Sequence, residues 1–408
     1  MSRFSIDYRN PNFKNALKLA GLQSGFWIAT AFANYQTVYL QKGGMSASSL
    51  GVLNSLGSFV GIFAVMFWGM ISDKINSIKK TFMISMVLGA ALMAGLPFLP
   101  TGWKYATLMF MIYCPFVNFF RSPGGTLLDN LTIRNCNQQG LDYGSIRATG
   151  SFFFTVACFV ITAIVTRFGV NCSFWLAGIL MIFPFLLLFR INDPKFEVKH
   201  GEKKASVSPK PLFKNYFYIA FLIFVVISYI TFNAEYCFMT YLMQDRGVNI
   251  ENYGVFNGIR ALCEVPALLL IVKLRQKFKL KYIIITAVTL MGTECFLLGL
   301  FAHTFPQFLM CGAVFGLGNG LYIGSAAAYV YKLAPANLKA SAQSIYASVA
   351  SASGIVANFT GGFVFQRIGG EKFYILLGSI AFASIIIWVL SFVFAKGKYN
   401  PGDELGLF

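Results

Sequence analysis

Seven ionisable side chains interrupt otherwise apolar stretches of the sequence. They are Arg121, Asp129, Arg147, Glu235, Arg260, Glu264 and Glu294. An ionised group at the depth of a lipid bilayer costs several kcal/mol unless it faces a wet cavity or a partner of opposite charge. Such groups suit the binding of a polar solute and the uptake and release of protons. They therefore predict a polar interior within an apolar protein.

Helical spacing places two pairs of opposite charge on common faces. Arg260 and Glu264 are four residues apart, and Arg121 and Asp129 are eight residues apart. Glu264 suits proton exchange, because an acid in a wall of low dielectric gains or loses its proton according to whether water reaches it. A static Arg260–Glu264 ion pair is the alternative interpretation.

Long apolar segments must position these residues. Of the 408 residues, 57% are apolar and 12% are charged, whereas soluble domains carry about 25% charged residues. Twelve segments are long enough to cross a bilayer as helices. They cover residues 17–40, 48–71, 81–99, 105–129, 144–168, 173–190, 215–242, 251–273, 282–301, 306–331, 340–365 and 372–395. The pattern predicts an all-α membrane protein with twelve transmembrane helices, and it excludes a soluble enzyme and a secreted disulfide scaffold.

A polar stretch rich in proline and charge divides the twelve segments into two sets of six. The sequence predicts pseudo-symmetric six-helix bundles over 1–190 and 215–408, joined by a cytoplasmic linker over 191–214. Most of the 33 Lys and Arg residues fall in the tails and in connections on one side. Since positive charge accumulates on the cytoplasmic side, both termini are expected in the cytoplasm. The net charge of +18 follows from these loops and does not indicate a nucleic-acid partner.

Neither a metal site nor an enzymatic centre is expected. The eight cysteines show no Cys-x-x-Cys spacing and mostly fall within apolar segments, as small buried hydrophobic residues do. The polar segments contain no phosphate loop or nucleophile motif, and they are too short for a catalytic domain.

The connection between the second and third segments carries a recognisable motif. Its residues are Gly69, Asp73, Lys74, Lys79 and Lys80. They resemble G-x-x-x-D-[RK]-x-G-x-[RK]-[RK], the signature of the major facilitator superfamily, with Ser77 in place of the second glycine. The resemblance implies a gating latch, with a close helix approach at Gly69 and the Asp73 carboxylate set among cations. An ordinary basic loop is the alternative.

A narrower resemblance covers the fourth and fifth segments. Asp129, late in the fourth, and the run Tyr143-Gly144-x-x-Arg147-x-x-Gly150 in the fifth look like the branch of lactose, nucleoside and aromatic-acid permeases. It implies that Arg147 donates forked hydrogen bonds to substrate hydroxyls and that Asp129 accepts one. It also implies close helix packing at Gly144 and Gly150. A purely structural Arg147–Asp129 pair is the alternative.

Weaker matches extend the expected site to other segments. The remaining candidates for solute contact are Asn34, Asn233, Asn319 and Tyr322, with the rings of Trp27 and Tyr35 if these face the cavity. The tenth and eleventh segments lack the His and Lys of lactose permease. Proton coupling is therefore expected to rest on Glu264, Asp129 and Glu235, with Glu294 the weakest candidate.

The resemblance implies a secondary active transporter that works by alternating access. The expected activity is proton-coupled symport of a small polyhydroxylated solute, such as a sugar, an oligosaccharide or a nucleoside. The expected partners are that solute, the proton and the lipid bilayer, with no cofactor, for a monomer in the plasma membrane. A proton antiporter exporting drugs, a carrier of aromatic carboxylates and a receptor without transport are the alternatives.

Overall fold

The computed structural model describes residues 12–193, 210–335 and 337–395, and every regular element in these ranges is helical. Helices satisfy their own backbone N–H and C=O groups, as an apolar surrounding requires. The α-helices are α1 (Phe13–Ala33), α2 (Gln36–Lys42), α3 (Ala47–Lys74), α4 (Ile78–Gly95), α5 (Ala106–Arg121), α6 (Pro123–Gln139), α7 (Tyr143–Phe168), α8 (Asn171–Leu180), α9 (Ile182–Leu188), α10 (Lys210–Lys214), α11 (Tyr216–Asp245), α12 (Tyr253–Lys277), α13 (Leu280–Leu300), α14 (Phe305–Leu333), α15 (Lys339–Ile368) and α16 (Gly370–Phe394).

Ten helical segments of the described ranges are long and apolar enough to cross a membrane. The predicted segments 17–40 and 105–129 are not among the ten, and each is divided into two helices. The second division falls at Ser122, before Pro123, because proline lacks the N–H that would continue the hydrogen-bond ladder of α5. The prediction of an all-α membrane protein is confirmed.

The chain forms two compact units. The first comprises Met1–Met45, Leu56–Val198 and Glu251–Gly258, and the second comprises Ser46–Ser55, Lys199–Ile250 and Ile259–Phe408. Short pieces of α3 and α12 thus group apart from the rest of their helices. The six-plus-six division remains a prediction. Residues 194–209 of its linker, and the termini expected in the cytoplasm, lie outside the described residues.

Two glycines explain why the first residues of α3 group with the second unit and the first residues of α12 group with the first unit. A Cβ on Gly254 would lie 2.8 Å from the carbonyl oxygen of Cys158, so α12 begins in close contact with α7 in the first unit. In the second unit, a Cβ on Gly362 of α15 would lie 2.7 Å from the carbonyl oxygen of Ala47 at the start of α3. Glycine permits backbones to approach this closely.

Each unit has its own apolar core, and the core fixes the helices that carry polar residues. In the first unit, Leu22 and Phe26 of α1 pack with Phe82 of α4 and Leu128 of α6. Helix α1 also packs extensively along α7. In the second unit, α13 packs against α14 and α16, and α11 packs against α15 and α16.

Asp142 fixes the start of α7. Its carboxylate accepts hydrogen bonds from the Ser145 hydroxyl at 2.6 Å, the Ser145 N–H at 2.9 Å and the Gly144 N–H at 3.3 Å. These bonds, led by that of the Ser145 hydroxyl, hold the pKa of Asp142 below its usual value. The cap sets the register of α7 just before Arg147.

Candidate functional site

Three helices of the first unit bring charged and amide groups together. Arg147 of α7 faces Asp129 of α6, with Nε and Oδ1 3.4 Å apart. Gln23 of α1 donates from Nε2 to the same Oδ1 at 3.1 Å, and to Thr132 Oγ1 at 3.1 Å. The expected Arg147–Asp129 neighbours therefore meet, and an amide that sequence analysis did not select completes the group.

Trp27 of α1 covers the guanidinium of Arg147. The guanidinium carbon lies 4.4 Å from the centre of the indole ring, a cation–π contact, and the indole Nε1 donates to Gln23 Oε1 at 3.0 Å. A Cβ on Gly150 would lie 2.6 Å from Trp27 Cδ1, so the glycine makes room for the ring. At Gly144 the nearest atoms to such a Cβ belong to the Asp142 cap, so the predicted helix packing at Gly144 is wrong.

The cluster of Gln23, Trp27, Asp129 and Arg147, called here the α1–α6–α7 cluster, keeps spare hydrogen-bonding capacity. Its Arg147 and Asp129 side chains are 27% and 32% exposed. Arg147 also donates from Nη1 to Ser151 Oγ at 3.2 Å, which leaves further guanidinium N–H groups for a ligand. One cation and one anion cancel, so the cluster suits a neutral solute with several hydroxyls.

Asn34 lies at the break between α1 and α2 and accepts a hydrogen bond from Arg121 Nη2 at 2.9 Å. The spacing of Arg121 and Asp129 predicts a shared face on one continuous helix, but α5 ends at Arg121 and α6 begins at Pro123. Asp129 meets Arg147 instead. Asn34 thus contacts Arg121, the last residue of α5, and not the α1–α6–α7 cluster.

Tyr35 supports the fold of the first unit. The side chain is 1% exposed, and its hydroxyl lies 2.9 Å from Thr162 Oγ1 and 3.0 Å from the carbonyl oxygen of Glu251. It also accepts from the Gly254 N–H at 3.1 Å. Stacking of its ring on a sugar was expected only if the ring faced the cavity, and the buried ring does not meet that condition in this structure.

A second ionic cluster lies within the second unit. Arg260 of α12 donates from Nη1 and Nη2 to the two carboxylate oxygens of Glu235 on α11, at 3.1 and 2.7 Å. Glu235 is fully buried, and Arg260 is 6% exposed with its guanidinium carbon 3.4 Å from the ring centre of Phe315. The spacing predicts Glu264 as the partner of Arg260, whereas the guanidinium faces Glu235.

Glu294 of α13 belongs to the same cluster. It is fully buried, and its carboxyl interacts electrostatically with Glu235 and Arg260. Its Oε2 accepts a weak hydrogen bond from Cys295 Sγ at 3.6 Å, while Oε1 has no donor in the part of the chain that the structure describes. Two carboxyls thus face one guanidinium.

The other predicted residues of the second unit make further contacts. Asn319 of α14 donates from Nδ2 to Glu264 Oε2 at 2.9 Å, and both side chains are partly exposed. Asn233 donates to the carbonyl oxygen of Tyr229 at 2.7 Å. Tyr322 is 2% exposed and packs against aromatic rings, including that of Tyr229 at 5.8 Å between centres. Its ring is part of the core here.

The predicted gating motif has unexpected surroundings. Apart from its own helix, nothing in the described ranges lies within 4 Å of a Cβ built on Gly69, so this structure lacks the close helix approach that was predicted there. Asp73 and Lys74 end α3 with exposed side chains. Lys80 is exposed as well, and its N–H donates to the Ser77 hydroxyl oxygen at 3.0 Å.

The serine that replaces the second glycine of the motif binds a residue that follows α9. The Ser77 hydroxyl donates to Asp193 Oδ2, and the Lys79 N–H lies 3.4 Å from Asp193 Oδ1. Lys79 Nζ donates to the carbonyl oxygen of Ile191 at 2.8 Å. These contacts tie the loop between α3 and α4 to the residues that lead into the linker.

Sequence reasoning missed one residue of the site and ranked another lowest. Gln23 precedes Trp27 by four residues, a spacing that places an amide and an indole on one helix face and could have indicated their contact. Glu294 has no charged residue at helical spacing within its own segment, so only the fold reveals its neighbours. No group of three His, Cys, Asp or Glu side chains in the described ranges forms a metal site.

Comparisons with known proteins agree with this fold. The model of the MFS_1 like family matches residues 26–376. The chain is 25% identical over 364 residues to the uncharacterized transporter YwbF of Bacillus subtilis (strain 168), covering 87% of this chain and 88% of that protein. It is 21% identical over 378 residues to the maltose permease of Geobacillus stearothermophilus, covering 90% and 91%.

Among solved structures, the nucleoside transporter NupG superposes with a TM-score of 0.78 at 15% identity. The alignment covers 94% of this chain and 99% of NupG. At this identity the likeness concerns the fold.

Proposed function

Because the chain belongs to the MFS_1 like family, we propose that it carries a small, neutral, polyhydroxylated solute across the membrane together with protons. It is a multi-pass membrane transporter and not an enzyme. The family match gives no support to the alternative of a receptor without transport. In this proposal the chain works as a monomer in the plasma membrane, by alternating access and with both termini in the cytoplasm.

The α1–α6–α7 cluster carries the proposal. Arg147 offers several N–H donors, Asp129 offers carboxylate oxygens as acceptors, and Trp27 offers an apolar face beside them. Vicinal hydroxyls of a sugar ring or a ribose can accept hydrogen bonds from Arg147 and donate to Asp129, while the sugar ring packs on Trp27. The maltose permease and nucleoside transporter matches fit this class of solute.

The ion pair argues against an anionic solute. A free aromatic carboxylate would have to compete with Asp129 for Arg147, and it would bring a second negative charge beside that carboxylate. A hydrophobic drug would displace water from the ion pair without replacing the hydrogen bonds that the water made. The neutral solute therefore fits this cluster better than the substrates of the two alternative transport activities.

The other predicted contacts take secondary roles in the proposal. Glu264, held by Asn319, is partly exposed and suits hydrogen bonding to solute more than proton storage. Asn233 and Asn34 offer further amides. Among the acids predicted to couple protons, Glu235 has the surroundings that suit this role best, since it is fully buried beside another carboxyl.

Uptake by proteoliposomes tests the proposal. The purified full chain is reconstituted and given radiolabelled maltose, uridine or benzoate under an imposed pH gradient. We expect the gradient to drive accumulation of maltose or uridine above its equilibrium level. Accumulation of benzoate alone, above the level in liposomes without protein, would favour the carboxylate carrier, and binding without flux would contradict transport.

A matched pair of variants tests the role of the cluster. Arg147→Ala is expected to weaken binding of the transported solute about 100-fold or more, since it removes hydrogen bonds to a charged group that contribute roughly 1.5–3 kcal/mol each. Arg167→Ala removes an exposed arginine from the same helix and should leave affinity unchanged. Equal affinity in both variants would exclude Arg147 from the binding site.

A further inference from the structure

We propose that Glu235 and Glu294 share one proton and, with Arg260 as a fixed counter-charge, form the site that carries the coupled proton. The inference rests on the proposed function and makes it more specific, because it assigns the proton to a site within the second unit. It also assigns the main role to the acid that sequence analysis ranked lowest.

The surroundings of Glu235 stabilise its ionised form. Both of its carboxylate oxygens accept from the Arg260 guanidinium, at 3.1 and 2.7 Å. The guanidinium also faces the ring of Phe315, and the Tyr374 hydroxyl donates to the Glu235 backbone carbonyl at 2.8 Å. Glu235 and Arg260 together form a neutral, buried pair.

The surroundings of Glu294 require a proton. The side chain is fully buried, it faces another carboxyl, and its Oε1 meets no donor in the described ranges. An ionised Glu294 would give the cluster a net negative charge without solvent to stabilise it. Two carboxyls can contact each other favourably only when one holds a proton that the other accepts.

Among the residues that the structure describes, no other ionisable group that faces Glu294 can supply the missing charge. The groups from its own helix and the packed helices are Cys295 of α13, Glu235 of α11, Arg260 of α12, Cys311 of α14 and Tyr374 of α16. Thiols and phenols are neutral near pH 7. Arg260 is already engaged by both oxygens of Glu235. One bound proton makes the cluster neutral.

Loss of this proton changes the cluster from neutral to net negative charge. Only access of water or of another cation can stabilise that change. The site therefore releases its proton in one state of water access and holds it in another, as a coupled carrier requires. Glu264 contrasts with it, because its carboxyl is partly exposed and accepts a hydrogen bond from Asn319.

Infrared spectroscopy on the purified full chain tests the proton directly and needs no substrate. At pH 7 the wild type should show the C=O stretch of a protonated carboxyl that is missing from Glu294→Gln. Glu235→Gln should lose it as well, because Glu294 then ionises beside Arg260. The control Glu264→Gln should keep it. A band of unchanged intensity in Glu294→Gln would overturn the inference.

Transport measurements separate failure of this inference from failure of the proposed function. Where the wild type accumulates maltose or uridine under a pH gradient, Glu294→Gln should reduce accumulation at least about tenfold while exchange of labelled for unlabelled solute continues. Full accumulation in Glu294→Gln would overturn the inference alone. A wild type that accumulates no probe yet shows the band would count against the proposed function.

A purely structural role predicts different results. It would lower the melting temperature of Glu294→Gln and reduce accumulation and exchange together, without a change in the infrared band. Should Glu294→Gln fail to fold, Glu294→Asp provides the second variant. Its accumulation should depend on pH differently from the wild type, and an identical pH profile would overturn the inference.

Discussion

Arg147 and Arg260 each face a carboxylate from a neighbouring helix, but their surroundings differ. Arg147 and Asp129 are 27% and 32% exposed, and an amide, an indole and a hydroxyl surround them. Arg260 is 6% exposed, and Glu235 is fully buried beside the carboxyl of Glu294. The first pair retains donors and acceptors that a solute can use. The second pair is too buried for a solute, and in our proposal it holds a proton together with Glu294.

This difference means that ion pairs within one membrane protein can serve different functions. An exposed ion pair gains little from its mutual attraction, so it can exchange that attraction for contacts with a ligand at small cost. A buried pair depends on its partner, because neither group can return to water. Stability measurements should therefore separate the two clusters before any transport is measured.

Removing the buried cation is expected to have the largest effect. Arg260→Met leaves Glu235 and Glu294 together without a counter-charge, so the free energy of unfolding should fall by about 3–5 kcal/mol. Arg147→Met, the matched change in the first unit, should lower it by no more than about 1 kcal/mol. Thermal unfolding of the purified variants in detergent micelles measures both changes.

A second substitution checks the cause of that loss. Arg260→Met combined with Glu235→Gln removes one of the two buried negative charges and should recover part of the lost stability. Equal destabilisation by Arg260→Met and Arg147→Met would show that the two clusters do not differ as their exposure indicates.

Crowding the indole of the first cluster should have an intermediate effect. Gly150→Ala places a methyl group 2.6 Å from Trp27 Cδ1, so the ring must move away from Arg147. Overpacking of this kind costs about 1–3 kcal/mol. Affinity for the transported solute should fall about tenfold, measured by equilibrium binding.

Gly144→Ala is the matched control on the same helix, since its methyl group would meet only ordinary contacts at 3.6 Å. It should bind solute as the wild type does. Equal losses in Gly144→Ala and Gly150→Ala would show that Trp27 has no part in binding.

The apolar runs of the sequence predict the helices well, because a backbone in lipid has few alternatives. They do not predict the break at Ser122, since an apolar run continues on both sides of Pro123. The motif around Arg147 predicts its partner Asp129 because both positions are parts of one recognisable pattern. The pattern does not include Gln23, which arrives from another helix.

Local spacing misleads where the true partner lies on another helix. Arg260 and Glu264 share a face, yet the guanidinium turns to Glu235, twenty-five residues earlier in the chain. Glu294 reaches the same cluster from a third helix, and no periodicity within one helix can predict that meeting. The motif at Gly69 likewise predicts a close approach that depends on neighbours the local sequence does not specify.

Removing the indole N–H should have a smaller effect than crowding the ring. Trp27→Phe keeps an aromatic face over Arg147 but leaves Gln23 Oε1 without its donor at 3.0 Å. A hydrogen bond of this kind contributes about 1 kcal/mol, so affinity should fall about fivefold. The same substitution at Trp388, which packs against Phe224 in the second unit, should leave affinity unchanged.

The smallest expected effect concerns the Asp142 cap of α7. It tests how much of the chain's loss of stability in acid comes from a group outside the two clusters. Asp142→Ala removes three hydrogen bonds from an exposed N-cap and should lower stability by about 1 kcal/mol at pH 7. The pKa of Asp142 is lower in the folded chain than its usual 3.8, so its stabilisation is complete above that pH and disappears as pH falls through the folded pKa. Asp142→Asn, which caps without ionising, should lack this acid-dependent part. If melting temperatures of the wild type and Asp142→Asn fall in parallel down to pH 3, the acid sensitivity of the chain arises elsewhere.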